Sequence, residues 1–323
     1  MYIVTGGAGF IGSVVVRHMN NMGIDGIVVV DNLASTEKWR NLVKCRYVDY
    51  MHRSRFRDLL VRNALPFTLD AVVHLGACSA TTERDADFLM ENNFHYTRDV
   101  CTATLEQGGR FITASSTATY GDGSQGFSDH EEGIPALRPL NMYGYTKQLF
   151  DLWLLREHCQ REVASLKFFN VYGPNEYHKG DMRSVALRAF GQIGETGRLK
   201  LFKSDVPGLA DGEQKRDFVY VKDCAVLVGW LLEKPSVGGI RNVGTGQART
   251  FNDLGRAVFA AMGREPAIDY IPMPPELIGK YQSYTCADMD WLAKTACPVR
   301  FRSLEEGVTD YIQQYLATAD QYV

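Results

Sequence analysis

The sequence predicts an α/β protein in which a doubly wound parallel sheet is followed by a smaller mixed α/β region. Short apolar runs alternate with amphipathic stretches along the first half of the chain, and the runs are rich in Val, Ile and Phe without alternating polar residues. This rhythm stops near Pro174. Continuous apolar runs are typical of strands buried on both faces of a parallel sheet. Strand–helix–strand repetition implies right-handed crossovers.

The first half contains five predicted strands, each one a short apolar run. They are residues 3–5, 27–31, 71–75, 110–114 and 166–169. Amphipathic stretches between them predict helices over residues 9–22, 56–63, 85–106 and 143–158.

The second half is less regular. Residues 174–217 are richer in Gly, Pro and charge, and no element is predicted there. A helix over 223–233, a strand over 240–243, a helix over 251–262, a mixed strand–loop region over 268–271 and a helix over 303–316 follow. We therefore expect residues 1–174 to form one domain, with segments near 217–250 returning to it, and residues 175–323 to form mainly a second.

The composition excludes several other classes of protein. Of the 323 residues, 45% are hydrophobic and 23% are charged, which is typical of a globular chain. The net charge of −3 lacks the basic excess of most nucleic-acid-binding proteins. The longest apolar run has nine residues, 224–232, whereas a membrane span needs about 20. Seven scattered Cys, without a Cys-x-x-Cys pair, and no signal-peptide pattern indicate a cytoplasmic protein without a metal site.

A glycine-rich turn follows the first predicted strand. Gly6, Gly9 and Gly12 form a GxxGxxG pattern that opens the first helix. In a dinucleotide-binding turn, the first glycine permits the tight turn, the second lets the backbone approach a pyrophosphate, and the third lets helix and strand pack closely. The helix N-terminus supplies amides and a partial positive charge. Because Asp31 ends the next strand, the context is that of a Rossmann-like dinucleotide site.

The residues around Asp31 leave the choice of dinucleotide open. Asp31 is suited to bind a ribose hydroxyl, which favours NAD. Asn32, Lys38 and Arg53 are suited to surround a 2′-phosphate, which needs cationic partners and would indicate NADP. Lys38 and Arg53 are also interpretable as ordinary solvated charges, so local chemistry does not choose between the two coenzymes.

Small residues end the third predicted strand, in the segment from His74 to Ser79. Ligands of doubly wound sheets lie at the carboxyl ends of strands, where small residues let the backbone contact a coenzyme. We interpret Cys78 as a small thiol rather than a nucleophile, since no neighbouring base activates it. Asn92, on the following helix, either reaches the same region or lies on the helix surface.

A hydroxyl-rich strand end and a Tyr–Lys pair predict catalysis. Ser116 follows the fourth strand, and Tyr143 and Lys147 open a later helix, where residues four apart share a face. A Tyr side chain, with a pKa of about 10, is a poor base at neutral pH. A nearby ammonium and a positive nicotinamide ring both favour its phenolate. We expect Ser116 to hold a substrate oxygen while Tyr143 takes its proton and a hydride passes to the nicotinamide.

These motifs resemble those of the extended short-chain dehydrogenase/reductase family, the NAD-dependent epimerases and dehydratases, whose members mostly act on nucleotide sugars. The resemblance covers nearly the whole chain and includes residues 170–174 and 216–221. Further segments are similar to the branch of the family that acts on an ADP-linked heptose. They are residues 31–33, 74–79, 178–180 and 279–282.

The resemblance implies a redox-neutral inversion at carbon 6 of the heptose. The hydrogen on that carbon is not acidic, because no carbonyl lies beside it, so transient oxidation to a 6-keto sugar by bound NADP is the expected route. The two acid/base groups would be Tyr143 and Lys179. A Lys can serve if burial or a neighbouring cation lowers its pKa. The product would supply heptose for the lipopolysaccharide core of Gram-negative bacteria.

The resemblance also implies a coenzyme set and a substrate set of residues. The coenzyme set joins the three glycines to Phe10, Ile11, Asp31, Asn32, Lys38, Arg53, Leu75, Gly76, Ala77, Cys78, Ser79, Asn92, Lys147, Val171 and Lys179. The substrate set is Ser116, Asn170, Asp181, Arg188, Phe202, Lys203, Ser204, Asp205, Arg216 and Tyr281. The planar guanidinium of Arg216 matches two diphosphate oxygens, with an ion pair to Asp217 or Glu213 as the structural alternative.

The sequence departs from the family pattern mainly at the sugar–nucleotide end. Leu75 stands where a Glu is usual, Asp181 where a Ser is and Arg188 where a His is. Arg53 replaces a Lys and keeps its charge, and the loop 204–215 is longer. These differences bear on substrate detail more than on the chemistry.

Two other functions fit part of the pattern. One is another nucleotide-sugar enzyme, such as a UDP-hexose 4-epimerase, although Lys179 and Tyr281 favour the heptose enzyme. A 4,6-dehydratase is disfavoured, because Ala118 and Thr119 stand where such enzymes have an Asp–Glu pair. The other is a non-catalytic nucleotide-sensing protein, which has no need of an intact Ser–Tyr–Lys set. The resemblance further implies a homo-oligomer, such as a homopentamer. The charge balance and the short apolar runs predict no nucleic-acid or membrane partner.

Overall fold

The computed structural model describes residues 1–274 and 282–323 of the chain. The strands in these ranges, β1 to β12, are Tyr2–Thr5, Ile27–Asp31, Asp49–His52, Ala71–His74, Arg110–Ser116, Val163–Phe168, Asn170–Tyr172, Leu199–Phe202, Lys215–Tyr220, Gly239–Val243, Ala248–Thr250 and Ile268–Ile271. The helices, α1 to α10, are Phe10–Asn21, Arg53–Val61, Ala86–Leu89, Tyr96–Glu106, Met142–Arg156, Val185–Thr196, Val221–Glu233, Phe251–Ala261, Asp290–Lys294 and Leu304–Tyr311. Short 3₁₀ helices include Glu37–Leu42 and Tyr177–Met182, and π-helical turns lie at Met90–His95 and Ile312–Leu316.

Seven parallel strands form the central sheet, in the order β10–β6–β5–β4–β1–β2–β3. The predicted doubly wound α/β fold is therefore confirmed. Because β1 pairs with both β2 and β4, the order of the strands along the chain reverses between β1 and β4. In doubly wound sheets, ligands bind in the crevice outside the carboxyl ends of the strands at such a reversal.

Burial explains which strands the sequence revealed. All five residues of β2 and all four of β4 are buried, so helices cover both faces of these strands, as their apolar runs indicated. β3 was not predicted. It lies at the edge of the sheet, and of its residues only Met51 is buried, whereas Asp49 and His52 are exposed. An edge strand has no continuous apolar run, and polar residues are typical of it.

A second apolar core lies among α6, α8 and α10 and two small sheets, β11–β9–β7 and β12–β8. No element was predicted over residues 174–217, but α6, β8 and the start of β9 lie there. Ser184 caps the N-terminus of α6 by accepting from Leu187 N, and Gly197, which has a φ of 73°, caps its C-terminus. The division of the chain into two domains at residue 174 stays a prediction.

Two further observations concern the whole described chain. Within residues 1–274 and 282–323, we find no helix that is both long enough and apolar enough to cross a bilayer. All seven cysteines are free thiols.

Candidate active site

A cavity of about 1010 Å³ lies at the carboxyl ends of the central strands. Its walls come from the turns after β1, β2, β4 and β5, the first turns of α5, and the loop after β7. This volume is at the upper end of the range of small-molecule sites, about 300–1,000 Å³. Every residue of the coenzyme set lies in its lining.

The glycine turn is shaped for a close approach of the backbone. Gly6 has a φ of +63°, and a Cβ on it would lie 2.7 Å from Gly76 N at the end of β4. A Cβ on Gly12 would lie 2.1 Å from Gly6 O, so α1 could not pack against the turn. In the part of the chain that is described, no side chain caps α1 at Gly9. Free helix amides at a glycine turn are the groups that bind a dinucleotide pyrophosphate, so these residues fit such a coenzyme.

A buried carboxylate and an ammonium lie together at the end of β2. Asp31, which is 7% exposed, accepts from Ala8 N at 2.9 Å and from Asn32 N at 2.7 Å. The Nζ of Lys38 lies 2.6 Å from its Oδ1. Arg53, the first residue of α2, lines the same cavity. Lys38 is thus held beside the acid that is suited to a ribose, rather than extending into solvent.

The end of β4 is held by an asparagine that the sequence analysis did not single out. The Asn93 side chain accepts from Cys78 N and donates to Cys78 O, both at 2.9 Å, and accepts from the Asn92 amide at 2.9 Å. Both asparagines lie on the π-helical turn Met90–His95, which interrupts the helix predicted over 85–106. Such turns are frequent at functional sites. The Asn–Asn doublet inside an amphipathic helix was the available signal.

Ser116, Tyr143 and Lys147 meet in the same cavity. Ser116 is the last residue of β5, and the other two lie in the first turns of α5, which begins after the N-cap residue Asn141. The Nζ of Lys147, a side chain that is 4% exposed, donates to Ala114 O at 2.8 Å. A strand end and a helix N-terminus thus bring the Ser116 hydroxyl to a phenol and an amine that lie more than 25 residues further along the chain.

The electrostatics of the site keep the phenol protonated in the free protein. Burial raises the pKa of Tyr143, and the Ser116 hydroxyl partly opposes this. Burial lowers the pKa of Lys147 to about 8, against the opposing charge of Asp151. A phenol in this state keeps its proton at neutral pH, and it becomes a base when additional positive charge is brought beside it.

A buried ion pair, which the sequence analysis did not identify, lies behind the Tyr–Lys pair. Asp151, one turn further along α5, and Lys167 on β6 are both fully buried and lie 2.7 Å apart. The Asp151 carboxylate also accepts from Ser115 and Ser165, each at 2.8 Å, and Lys167 donates to Thr119 at 2.7 Å. The pair therefore fixes α5 against β5 and β6. The only sign of this ion pair in the sequence was Lys167, a charged residue inside the apolar strand predicted over residues 166–169.

Lys179 reaches the cavity from the opposite half of the chain. It lies on the 3₁₀ helix Tyr177–Met182 after β7, and its Nζ is 5.0 Å from the centre of the Phe10 ring at the start of α1. Burial lowers the pKa of Lys179, while the charge of Glu176 opposes the shift.

The substrate set is only partly gathered at the cavity. Ser116, Asn170, Asp181 and Arg216 line it. Among the described residues, Arg188 and the stretch 202–205 are not part of its lining. Tyr281 lies outside the described residues, as do the first three residues of the segment 279–282 that favoured the heptose branch.

Arg216 lies against an aromatic ring in this cavity. It is 5% exposed, and its guanidinium carbon lies 5.7 Å from the centre of the Phe251 ring. The Asp217 carboxylate, one of its suggested partners, accepts from the backbone of Thr245, Gly246 and Ala287. The lining also includes residues that the sequence analysis did not assign to the site, among them Tyr96, Arg183, Phe218 and Phe251.

Comparisons with known proteins agree with this geometry. Residues 2–244 match the model of the NAD dependent epimerase/dehydratase family. A protein of Nitratidesulfovibrio vulgaris named ADP-L-glycero-D-manno-heptose-6-epimerase is 64% identical over 323 residues, which is all of both chains. The crystal structure of ADP-L-glycero-D-manno-heptose-6-epimerase from Helicobacter pylori has a TM-score of 0.80 at 25% identity, covering 97% of this chain and 95% of that one. UDP-glucose 4-epimerase from Thermus thermophilus, in complex with NAD, has a TM-score of 0.75 at 26% identity, covering 97% of both chains.

The family model covers the central sheet from β1 to β10, together with the glycine turn, Ser116, Tyr143 and Lys147. The glycine turn and the acid at the end of β2 fit the nicotinamide coenzyme after which the family is named. The chain therefore belongs to the NAD-dependent epimerase/dehydratase family, and its coenzyme is a nicotinamide dinucleotide.

Proposed function

We propose that the protein converts ADP-D-glycero-D-manno-heptose to ADP-L-glycero-D-manno-heptose by inverting carbon 6. The name of the Nitratidesulfovibrio protein, which is 64% identical over the whole chain, supports this substrate. The observation that carries the chemistry is that Tyr143 and Lys179 line one cavity from different elements, α5 and the loop after β7. An inversion needs a proton donor or acceptor for each face of the sugar, and these two groups meet that need.

The proposed reaction proceeds through a transient 6-keto sugar. A nicotinamide coenzyme held at the glycine turn and Asp31 would supply the hydride acceptor for oxidation at carbon 6 and the hydride donor for reduction from the other face. Ser116 holds the oxygen on carbon 6 by a hydrogen bond. One of Tyr143 and Lys179 removes the hydroxyl proton during oxidation, and the other donates a proton to that oxygen during reduction. Lys147, next to Tyr143 on α5, favours the phenolate whenever Tyr143 has lost its proton.

We propose NADP as the coenzyme. Support comes from the end of β2, where the Lys38 ammonium lies 2.6 Å from the Asp31 carboxylate and Arg53 lines the same cavity. Two cations near the ribose-binding acid are what a 2′-phosphate requires.

Replacing Lys38 by Ala is expected to weaken NADP binding by about tenfold to a hundredfold and to leave NAD binding nearly unchanged. A hydrogen bond to a charged group contributes about 1.5–3 kcal/mol, and only NADP has the 2′-phosphate that receives it. Calorimetric titration of both coenzymes into the variant measures the effect. Lys200→Ala, which changes an exposed lysine of β8, is the matched control. Equal losses for NADP and NAD would remove Lys38 as the 2′-phosphate ligand.

The activity itself is tested by incubating the purified protein with ADP-D-glycero-D-manno-heptose and reading the configuration of carbon 6 by proton NMR, without added coenzyme. Formation of the L-glycero epimer is expected and would show a coenzyme retained through purification. No conversion, even with added NADP and NAD, would contradict the proposal, and UDP-glucose would then be assayed for 4-epimerisation. The expected homo-oligomer, the pentamer in particular, stays a prediction that the mass of the protein in solution tests.

A further inference from the structure

We propose that Glu176 is the positioning residue for Lys179: its buried carboxylate closes the loop that carries Lys179. This inference rests on the proposed function, because it assigns a role within the same site. It concerns a buried acid that the reaction itself does not use.

The first observation is the set of contacts that the carboxylate makes. The Lys179 loop, residues 173–184, connects β7 to α6. Glu176 lies inside it with no exposed surface. Its Oε1 accepts from Gly173 N at 3.2 Å and from Ser184 Oγ at 2.7 Å, and its Oε2 accepts from Ser184 N at 2.5 Å. One side chain therefore joins the first and last residues of the loop.

The second observation connects this closure to Lys179. The backbone N–H of Lys179 donates to the backbone carbonyl of Glu176 at 3.1 Å. Lys179 therefore lies one 3₁₀ turn after Glu176 in the chain. From there its side chain passes over the Phe10 ring into the cavity. Because the backbone of Lys179 is tied to Glu176, and Glu176 is tied to both ends of the loop, the position of the ammonium depends on this carboxylate.

The charges of the two groups support each other. Burial lowers the pKa of Lys179 and the Glu176 charge opposes that shift. Burial raises the pKa of Glu176, while its bonds from Ser184 and Gly173 and the charge of Lys179 oppose it. The carboxylate also lies at the N-terminus of the 12-residue helix α6, where a negative charge is favourable. The buried Glu176 carboxylate thus has local partners that favour its charged form.

A neutral amide cannot replace the carboxylate. The N–H groups of Gly173 and Ser184 can only donate, and a glutamine offers one oxygen to them in place of two. Glu176→Gln therefore removes the anion and leaves one loop contact unmade. Glu176→Asp keeps the anion but shortens the side chain by one methylene, so that it cannot reach all three donors.

The experiment follows the protonation of Lys179 directly. Purified protein is labelled with an amine-reactive reagent at a series of pH values, and modification of Lys179 is read by peptide mass spectrometry. In Glu176→Gln we expect the midpoint of Lys179 labelling to fall to lower pH, because the Glu176 charge raises the pKa of Lys179 and the amide removes that charge. Ser184→Ala loses a hydroxyl contact but keeps the anion, and its midpoint should remain that of the wild type. A wild-type midpoint in Glu176→Gln would overturn the proposal.

Activity supplies the second measurement. We expect Glu176→Gln and Glu176→Asp to lose about ten- to a hundredfold in kcat with little change in KM, since a displaced catalytic group costs this much. Wild-type kcat in Glu176→Asp would overturn the positioning role, and this variant carries the test if Glu176→Gln does not fold. Labelling needs no substrate, so it tests Glu176 independently of the reaction. A wild-type protein without activity would contradict the proposed function, and a shifted labelling midpoint in Glu176→Gln would still support the role of Glu176.

Discussion

Tyr143→Phe is expected to lower the rate of epimerisation by at least about a hundredfold while the fold and the bound coenzyme remain. The substitution removes only the phenol oxygen of a residue at the start of α5, and the ring keeps its volume. Without that oxygen, one face of the 6-keto sugar has no group to exchange a proton with. Conversion followed by proton NMR, together with the coenzyme content of the purified protein, measures the effect.

Tyr145→Phe is the matched control for this experiment. Tyr145 lies two residues further along the same helix, is 46% exposed, and is not part of the cavity lining. Its variant should therefore convert substrate at the wild-type rate. A Tyr143→Phe protein as active as the Tyr145→Phe protein would remove Tyr143 from the reaction.

Asp151→Asn is expected to destabilise the protein by about 3–5 kcal/mol, because it leaves Lys167 buried without a counter-charge. Replacing both residues by apolar side chains of similar volume, Asp151→Leu with Lys167→Met, should recover much of this loss. Denaturant unfolding of the single and double variants gives the free energies of unfolding.

The exposed pair Arg198–Asp269 provides the comparison for the buried one. Asp269 is 40% exposed, and Asp269→Asn should change the free energy of unfolding much less than Asp151→Asn does, because solvent screens an exposed pair. If Asp151→Asn cost no more than Asp269→Asn, the buried pair would not be a stabilising contact. If the double variant were as unstable as Asp151→Asn, the loss would come from packing rather than from the unpaired charge.

The sequence predicted the parts of the fold that depend on local pattern. Strands such as β2 and β4 are buried at every position, so they appear in the sequence as apolar runs. The glycine turn is recognisable because its steric demands allow no side chain at Gly6 or Gly12. The Tyr–Lys spacing is equally local, since one helix turn brings both residues to one face.

The parts that could not be predicted depend on contacts between distant residues or on weak local signals. β3 is half-exposed at the edge of the sheet, and α6 contains two glycines, which lower its helix propensity. The role of Asn93 was not predicted, because its hydrogen-bond partner is the backbone of Cys78, which lies on a different segment of the chain. Glu176 looks like a loop charge until both ends of its loop are seen to bond to it.

The Asp151–Lys167 pair also constrains how this sequence can change over evolutionary time. The two residues are 16 positions apart on different elements, yet neither is replaceable alone without leaving a buried charge. A lineage that exchanges the pair for apolar side chains must pass through a poorly folding intermediate or change both positions together. Chimeras with a relative that lacks the pair should therefore fold only when their crossover point lies outside residues 151–167, so that the segment is inherited as one block.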